Sequence, residues 1–69
     1  MKLNKRNIFI HMAKIAVNKT WLVATTGLSF DTITKDLSGR KVSTRTAGRI
    51  AKALNVPVED ILEAEDEIE

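Results

Sequence analysis

Side-chain chemistry needs nucleophiles, acid–base pairs or metal ligands, and this 69-residue chain is poor in all three. It has one histidine, His11, and no cysteine. Thiolate catalysis, a Cys/His metal cluster and disulfides therefore have no residues to build on. Asp31 and Asp36 are the only acids in residues 1–55, and the other seven fall in residues 56–69. No glycine-rich phosphate loop and no calcium-loop spacing occurs. The chain is thus expected to be no enzyme, with no catalytic residues, no metal and no cofactor. What remains is electrostatic. All eleven Lys and Arg lie in residues 1–55 against those two acids, a balance of +9, while residues 56–69 carry −7. The net charge of +2 conceals this segregation. A basic body suits a polyanion, through phosphate neutralisation and counterion release, although a solvated lysine-rich face has the same composition.

A chain of this size holds one small domain with little room for a catalytic cleft. Residues 1–63 are expected to form that domain, with 64–69 as an acidic tail. There is no 18-residue apolar run and no pattern of a secretory signal, so the expectation is a soluble cytoplasmic protein with no membrane partner.

The positioning elements are legible from apolar spacing. Residues 4–16 read as a first helix with Ile8, Met12 and Ile15 inward, capped by Asn4 or Asn7. Phe9 and Ile10 widen its apolar face, toward the C-terminal helix or a second subunit. Val17 points inward at the connection, and Asn18 caps a second helix over 19–26 carrying Leu22 and Val23. Gly27 supplies a sharp turn, since glycine takes positive φ without a Cβ penalty. Ser29 caps a third helix over 30–37, with Ile33 and Leu37 inward. Gly39 ends it, and a basic loop follows. A fourth helix carries Ala47, Ile50, Ala51 and Leu54 at i, i+3, i+4 and i+7, capped by Ser43 or Thr44. Pro57 opens a fifth short helix with Ile61 and Leu62. Five helices and no strand signal predict an all-α domain. Helices two and three, joined by a tight glycine turn, have the form of a helix-turn-helix, whose second helix can enter the DNA major groove.

The segments LVATTGLSFDTITKDLSGR and TAGRIAKALNVPVEDIL resemble the Cro/C1-type, or XRE-like, helix-turn-helix family of phage and bacterial regulators. The resemblance runs from Ile8 to Leu62 and implies a compact five-helix, lambda-repressor-like domain. The chain departs from the family pattern where Lys19 replaces a usual Gln and Val23 a usual Ala. Met12 and Leu37 stand where many members pair an Arg with a Glu. An apolar pair can replace a buried ion pair at little cost, so this joint departure leaves the alignment intact.

In that architecture the start and outer face of the third helix meet base edges, here Ser29, Phe30, Asp31, Thr34 and Lys35. Lys35 can donate to guanine O6 and N7, Asp31 can accept from cytosine N4, and Phe30 or a Thr methyl can meet a thymine methyl. Equally, Ser29 could serve only as a cap, Asp31 as a first-turn acid favoured by the helix dipole, and Phe30 as a shield over the turn. Phosphate contacts fall to Lys19, Arg40, Lys41, Thr44 and Arg45. Lys2, Lys5 and Arg6 form an arm or only aid solubility. Trp21 packs on the first helix, touches the sugar–phosphate backbone or joins an interface.

The resemblance implies a sequence-specific double-stranded DNA-binding transcriptional regulator. A phage- or mobile-element repressor acting as a homodimer on a palindromic operator, in the nucleoid of a bacterial or phage-infected cell, fits best. The alternative is a protein-interaction module on the same fold, an antitoxin or antirepressor, with a protein partner held by the acidic C-terminus.

Overall fold

The computed structural model describes residues 1–63. Four α-helices follow one another: α1 (Lys5–Lys14), α2 (Lys19–Thr26), α3 (Phe30–Leu37) and α4 (Thr44–Leu54). A single 3-10 turn, Val58–Ile61, closes the order. The fifth α-helix expected from sequence is therefore this one turn, and Leu62 lies beyond it in extended backbone. The acidic tail expected over residues 64–69 lies outside the described residues.

Each α-helix starts on a side-chain cap that accepts from a backbone N–H near the free N-terminal end. Asn4 Oδ1 accepts from the Asn7 amide at 3.0 Å and Asn18 Oδ1 from the Trp21 amide at 3.0 Å. Ser29 Oγ accepts from Thr32 at 3.0 Å and Ser43 Oγ from Thr46 at 3.2 Å. Asn7 has another task, its Nδ2 donating to the Asp60 carbonyl at 3.0 Å. α1 stops two residues short of the expected end because Ala16 turns left-handed, at φ 56°. Ile15, expected inward, is consequently 47% exposed.

The turn between α2 and α3 rests on two adjacent residues. Gly27 sits at φ 76° and donates its N–H to the Val23 carbonyl at 3.0 Å. Buried Thr26 donates its hydroxyl to the Leu22 carbonyl at 2.7 Å and accepts from the Leu28 amide at 3.2 Å. A Cβ at Gly27 would meet no atom within 4 Å. Gly27→Ala is therefore expected to cost only the left-handed penalty, about 1 kcal/mol, read as a lower urea midpoint with an unchanged slope. A larger loss, or a changed slope, would mean that the turn cannot hold its shape. Gly48 is exposed within α4 with nothing near it, and nothing in the structure explains it.

The core gathers Ile8 and Met12 of α1, Leu22 of α2, Ile33 and Leu37 of α3, and Ala47, Ile50, Ala51 and Leu54 of α4. α2 packs on α3 and α4, while the 3-10 turn fills the space between α4 and α1. Met12 and Leu37, the apolar pair singled out in the sequence, are both buried.

The N-terminus departs most from expectation. Residues 1–4 are no arm: Leu3 is fully buried, and the chain runs between two other segments. The Met1 carbonyl accepts from Val42 at 2.7 Å, the Lys2 carbonyl from Glu63 at 3.0 Å, and the Asn4 amide donates to Ile61 at 2.7 Å. Isolated antiparallel bridges pair Lys2 with Lys41 and Leu3 with Leu62. A small extended patch thus ties the α3–α4 loop to the C-terminal turn, in a chain whose sequence carries no strand signal.

Candidate nucleic-acid interface

α3 buries Ile33, Asp36 and Leu37 and turns its first residues and opposite face to solvent. Ser29, Phe30, Asp31 and Lys35 are exposed there, and Thr34 is half-buried. Ser29 spends its hydroxyl locally: besides capping the helix, it donates to Thr32 Oγ1 at 2.8 Å. Asp31 Oδ2 and Lys35 Nζ lie 3.1 Å apart, one helical turn from each other. Both side chains stay more than half exposed, so the pair itself adds little stability. Its effect is to present an acceptor and a donor side by side, with no net charge. Thr34 disagrees with the sequence reading. Its Oγ1 is covered and has no hydrogen-bond partner, so its hydroxyl is not on the outer face.

Basic groups stand at both ends of α3. At the first turn of α2, the Lys19 ammonium sits 5.6 Å from the centroid of the Phe30 ring. This cation–π contact links the start of α2 to the start of α3 and holds the charge beside the exposed aromatic. At the other end, Arg40 donates from Nε at 2.9 Å and from Nη2 at 2.6 Å, both to Asp36 Oδ1. Asp36 is almost fully buried, whereas the Arg40 side chain is half in water. Lys41 follows, exposed, with its backbone held against Lys2. Thr44 and Arg45, at the start of α4, are also exposed.

Sequence reasoning missed two features. Asp36 enters the sequence reading only in the charge count, yet it is the buried anchor of Arg40. Arg49 and Lys52 were not singled out, but with Arg45 they form one basic row along α4. Arg45 and Arg49 line a shallow cleft with Leu28 and Thr46, and Arg49 and Lys52 line a neighbouring one with Thr25, Thr26 and Ala53. The i, i+4, i+7 spacing of these cations, opposite the apolar residues of α4, was the available signal.

Chemically, this surface offers a neutral donor–acceptor pair flanked by cations. That suits the edges of base pairs between two phosphate strands, and it offers no acid–base or nucleophile pair to a substrate. Among the described residues no helix is long and apolar enough to cross a membrane. No curated protein and no solved structure matches the chain. A family model described as the Cro/C1-type HTH DNA-binding domain matches residues 7–67, nearly the whole chain. The chain belongs to the Cro/C1-type helix-turn-helix DNA-binding family.

Proposed function

We propose that this protein is a sequence-specific transcriptional regulator that binds double-stranded DNA as a homodimer, in the manner of a phage- or mobile-element repressor. α2 and α3 act as the helix-turn-helix, and α3 enters the major groove of each half of a palindromic operator. The observation that carries this reading is the outward Asp31–Lys35 pair on α3, bracketed by Lys19 at one end and Arg40 and Lys41 at the other. Lys35 donates to a guanine edge, Asp31 accepts from a cytosine amino group, and Phe30 lies against a thymine methyl. Ser29 holds the helix start against the groove. Thr34 reaches a base only after its hydroxyl rotates outward. Lys19, Lys41, Thr44, Arg45 and the free donors of Arg40 take phosphates. The cell compartment is the bacterial cytoplasm, at the nucleoid.

The test begins with fragments of the source genome retained by the purified chain, followed by anisotropy across a salt series. A fragment with an inverted repeat, bound at least about a thousandfold more tightly than scrambled DNA, supports the reading. Sedimentation should then give two chains per operator, and a strict 1:1 complex would remove the homodimer. Sequence-blind binding that vanishes near physiological salt would remove the specific regulator. Lys35→Ala is expected to weaken operator binding by about 1–3 kcal/mol and to relax preference at one base pair. Lys19→Ala and Lys41→Ala should weaken all sequences alike, each lowering the salt slope by about one. If Lys35→Ala behaves like these two, its role is phosphate contact instead.

A further inference from the structure

Four large hydrophobic residues are exposed among the described residues: Phe9, Ile10, Ile15 and Phe30. Phe30 lies under Lys19 and belongs to the surface above. Phe9 and Ile10 lie on α1, where with Lys5, Arg6 and Ala13 they form an open, solvent-facing surface. Helical spacing arranges these residues in two adjoining rows, Lys5–Phe9–Ala13 and Arg6–Ile10–Lys14. None of Lys5, Arg6, Phe9, Ile10 and Ala13 belongs to the candidate DNA surface.

The C-terminal turn does not cover this face. It meets the Asn7–His11 side of α1, where Asn7 Nδ2 reaches the Asp60 carbonyl and His11 Nε2 stands 4.0 Å from Asp60 Oδ2. α1 holds no Asp or Glu, and among the described residues no carboxylate pairs with Lys5, Arg6 or Lys14, so this face stays cationic. A second copy fits badly. A two-fold contact sets the same surface against itself and would bring these cations together around an apolar centre. DNA would neutralise the cations but leave Phe9, Ile10 and Ala13 without an apolar partner.

We infer that the outer face of α1 docks a short, acidic amphipathic segment of another protein. Its apolar side chains lie on Phe9, Ile10 and Ala13, and its carboxylates meet Lys5, Arg6 and Lys14. This is face-to-face packing of two amphipathic segments, with the partner's charge chosen by the cations of α1. The Lys5 ammonium, 5.7 Å from the Phe9 ring centroid, already stands at the edge of that apolar strip.

The probe is a designed helical peptide of leucine and glutamate, with leucines at i, i+3, i+4 and i+7, beside a twin with lysine for every glutamate. Each is titrated into the isotope-labelled full chain and followed by amide shifts. The glutamate peptide is expected to shift the amides of Lys5–Lys14 and to bind at least about tenfold more tightly than its twin, a ratio set by several partly exposed ion pairs. Ile10→Asn should weaken it on a folded chain. The double variant Arg6→Glu/Lys14→Glu should reverse the preference between the two peptides. Equal binding of both peptides, no binding, or shifts confined to Lys19, Arg40 and Lys41 would overturn the inference. So would a concentration-dependent dimer that Ile10→Asn dissociates, because the occupant would then be a second copy. Deleting residues 64–69 provides the last arm. If deletion alone moves the α1 amides, the chain's own acidic end takes this face and the inference fails.

Discussion

Leu3→Ala is expected to remove about 2–5 kcal/mol of stability, the range for truncating a buried leucine to alanine. Leu3 is 2% exposed and ranks with Ile8, Leu22, Ile33, Ile50 and Ile61 among the largest fully buried side chains. The backbone around it cannot readily close over the hole. Met1 is tied to Val42, Lys2 to Glu63 and Asn4 to Ile61, so the residue is gripped on both sides. A core of this size supplies roughly 3–5 kcal/mol in all, and the variant should therefore be largely unfolded at 37 °C. Trp21, the only tryptophan, gives a fluorescence signal for urea unfolding. Arg6→Ala, three residues on and exposed, should change the unfolding free energy by less than about 0.5 kcal/mol. Equal, small effects of the two substitutions would show that the N-terminal segment is not part of the core.

The same residue shows where the sequence stops being legible. Leu3 is a lone apolar position in a basic stretch, MKLNKR, and no periodicity points inward through it. Its burial follows from pairing with Leu62, which lies near the other end of the chain. Local chemistry fared better. The bounds of α2 and α3 agree with expectation because Asn18, Gly27 and Ser29 act on backbone groups within three or four residues of themselves. α4 was readable because its four inward residues repeat at helical spacing, and all four are buried. The 3-10 turn was misread as a helix because Pro57, Ile61 and Leu62 satisfy the helix pattern, while the bridge to Leu3 draws Leu62 out of it. Ala16 ended α1 early by adopting a conformation that alanine rarely takes.

The candidate surface divides along the same line. The Asp31–Lys35 pair has the i, i+4 order that favours a helical ion pair, and its geometry could be read from spacing. The Lys19–Phe30 contact could not, because it depends on how α2 crosses α3. Nor could the covered hydroxyl of Thr34, an outward position by spacing, because only packing decides which side of the residue faces solvent.

Arg40→Ala should be the costliest substitution on the basic surface, at about 2–3 kcal/mol of folding stability. Asp36 is held in the core at the last turn of α3, where the carbonyl end of the helix dipole opposes a negative charge. Arg40 offsets both penalties with two donated bonds to one carboxylate oxygen. Removing it strands a buried carboxylate, which costs far more than an exposed ion pair is worth. The figure lies at or below the low end for a fully buried pair because the guanidinium is half in water. Asp36→Ala should cost less, since Arg40 then returns to solvent. The double variant Asp36→Ala/Arg40→Ala should be more stable than Arg40→Ala alone, and that inequality is the signature of the pair. Urea melts of the three variants read it directly; additive losses would mean that the two residues act separately. Two of the five guanidinium N–H donors serve Asp36, leaving three for a phosphate. Arg40→Lys keeps the charge but replaces the planar fork with a single ammonium, which cannot serve the core and a phosphate together. It should therefore regain part of the lost stability while DNA affinity stays reduced at every sequence. Full recovery of both would mean that a point charge at this position is all the fold and the DNA require.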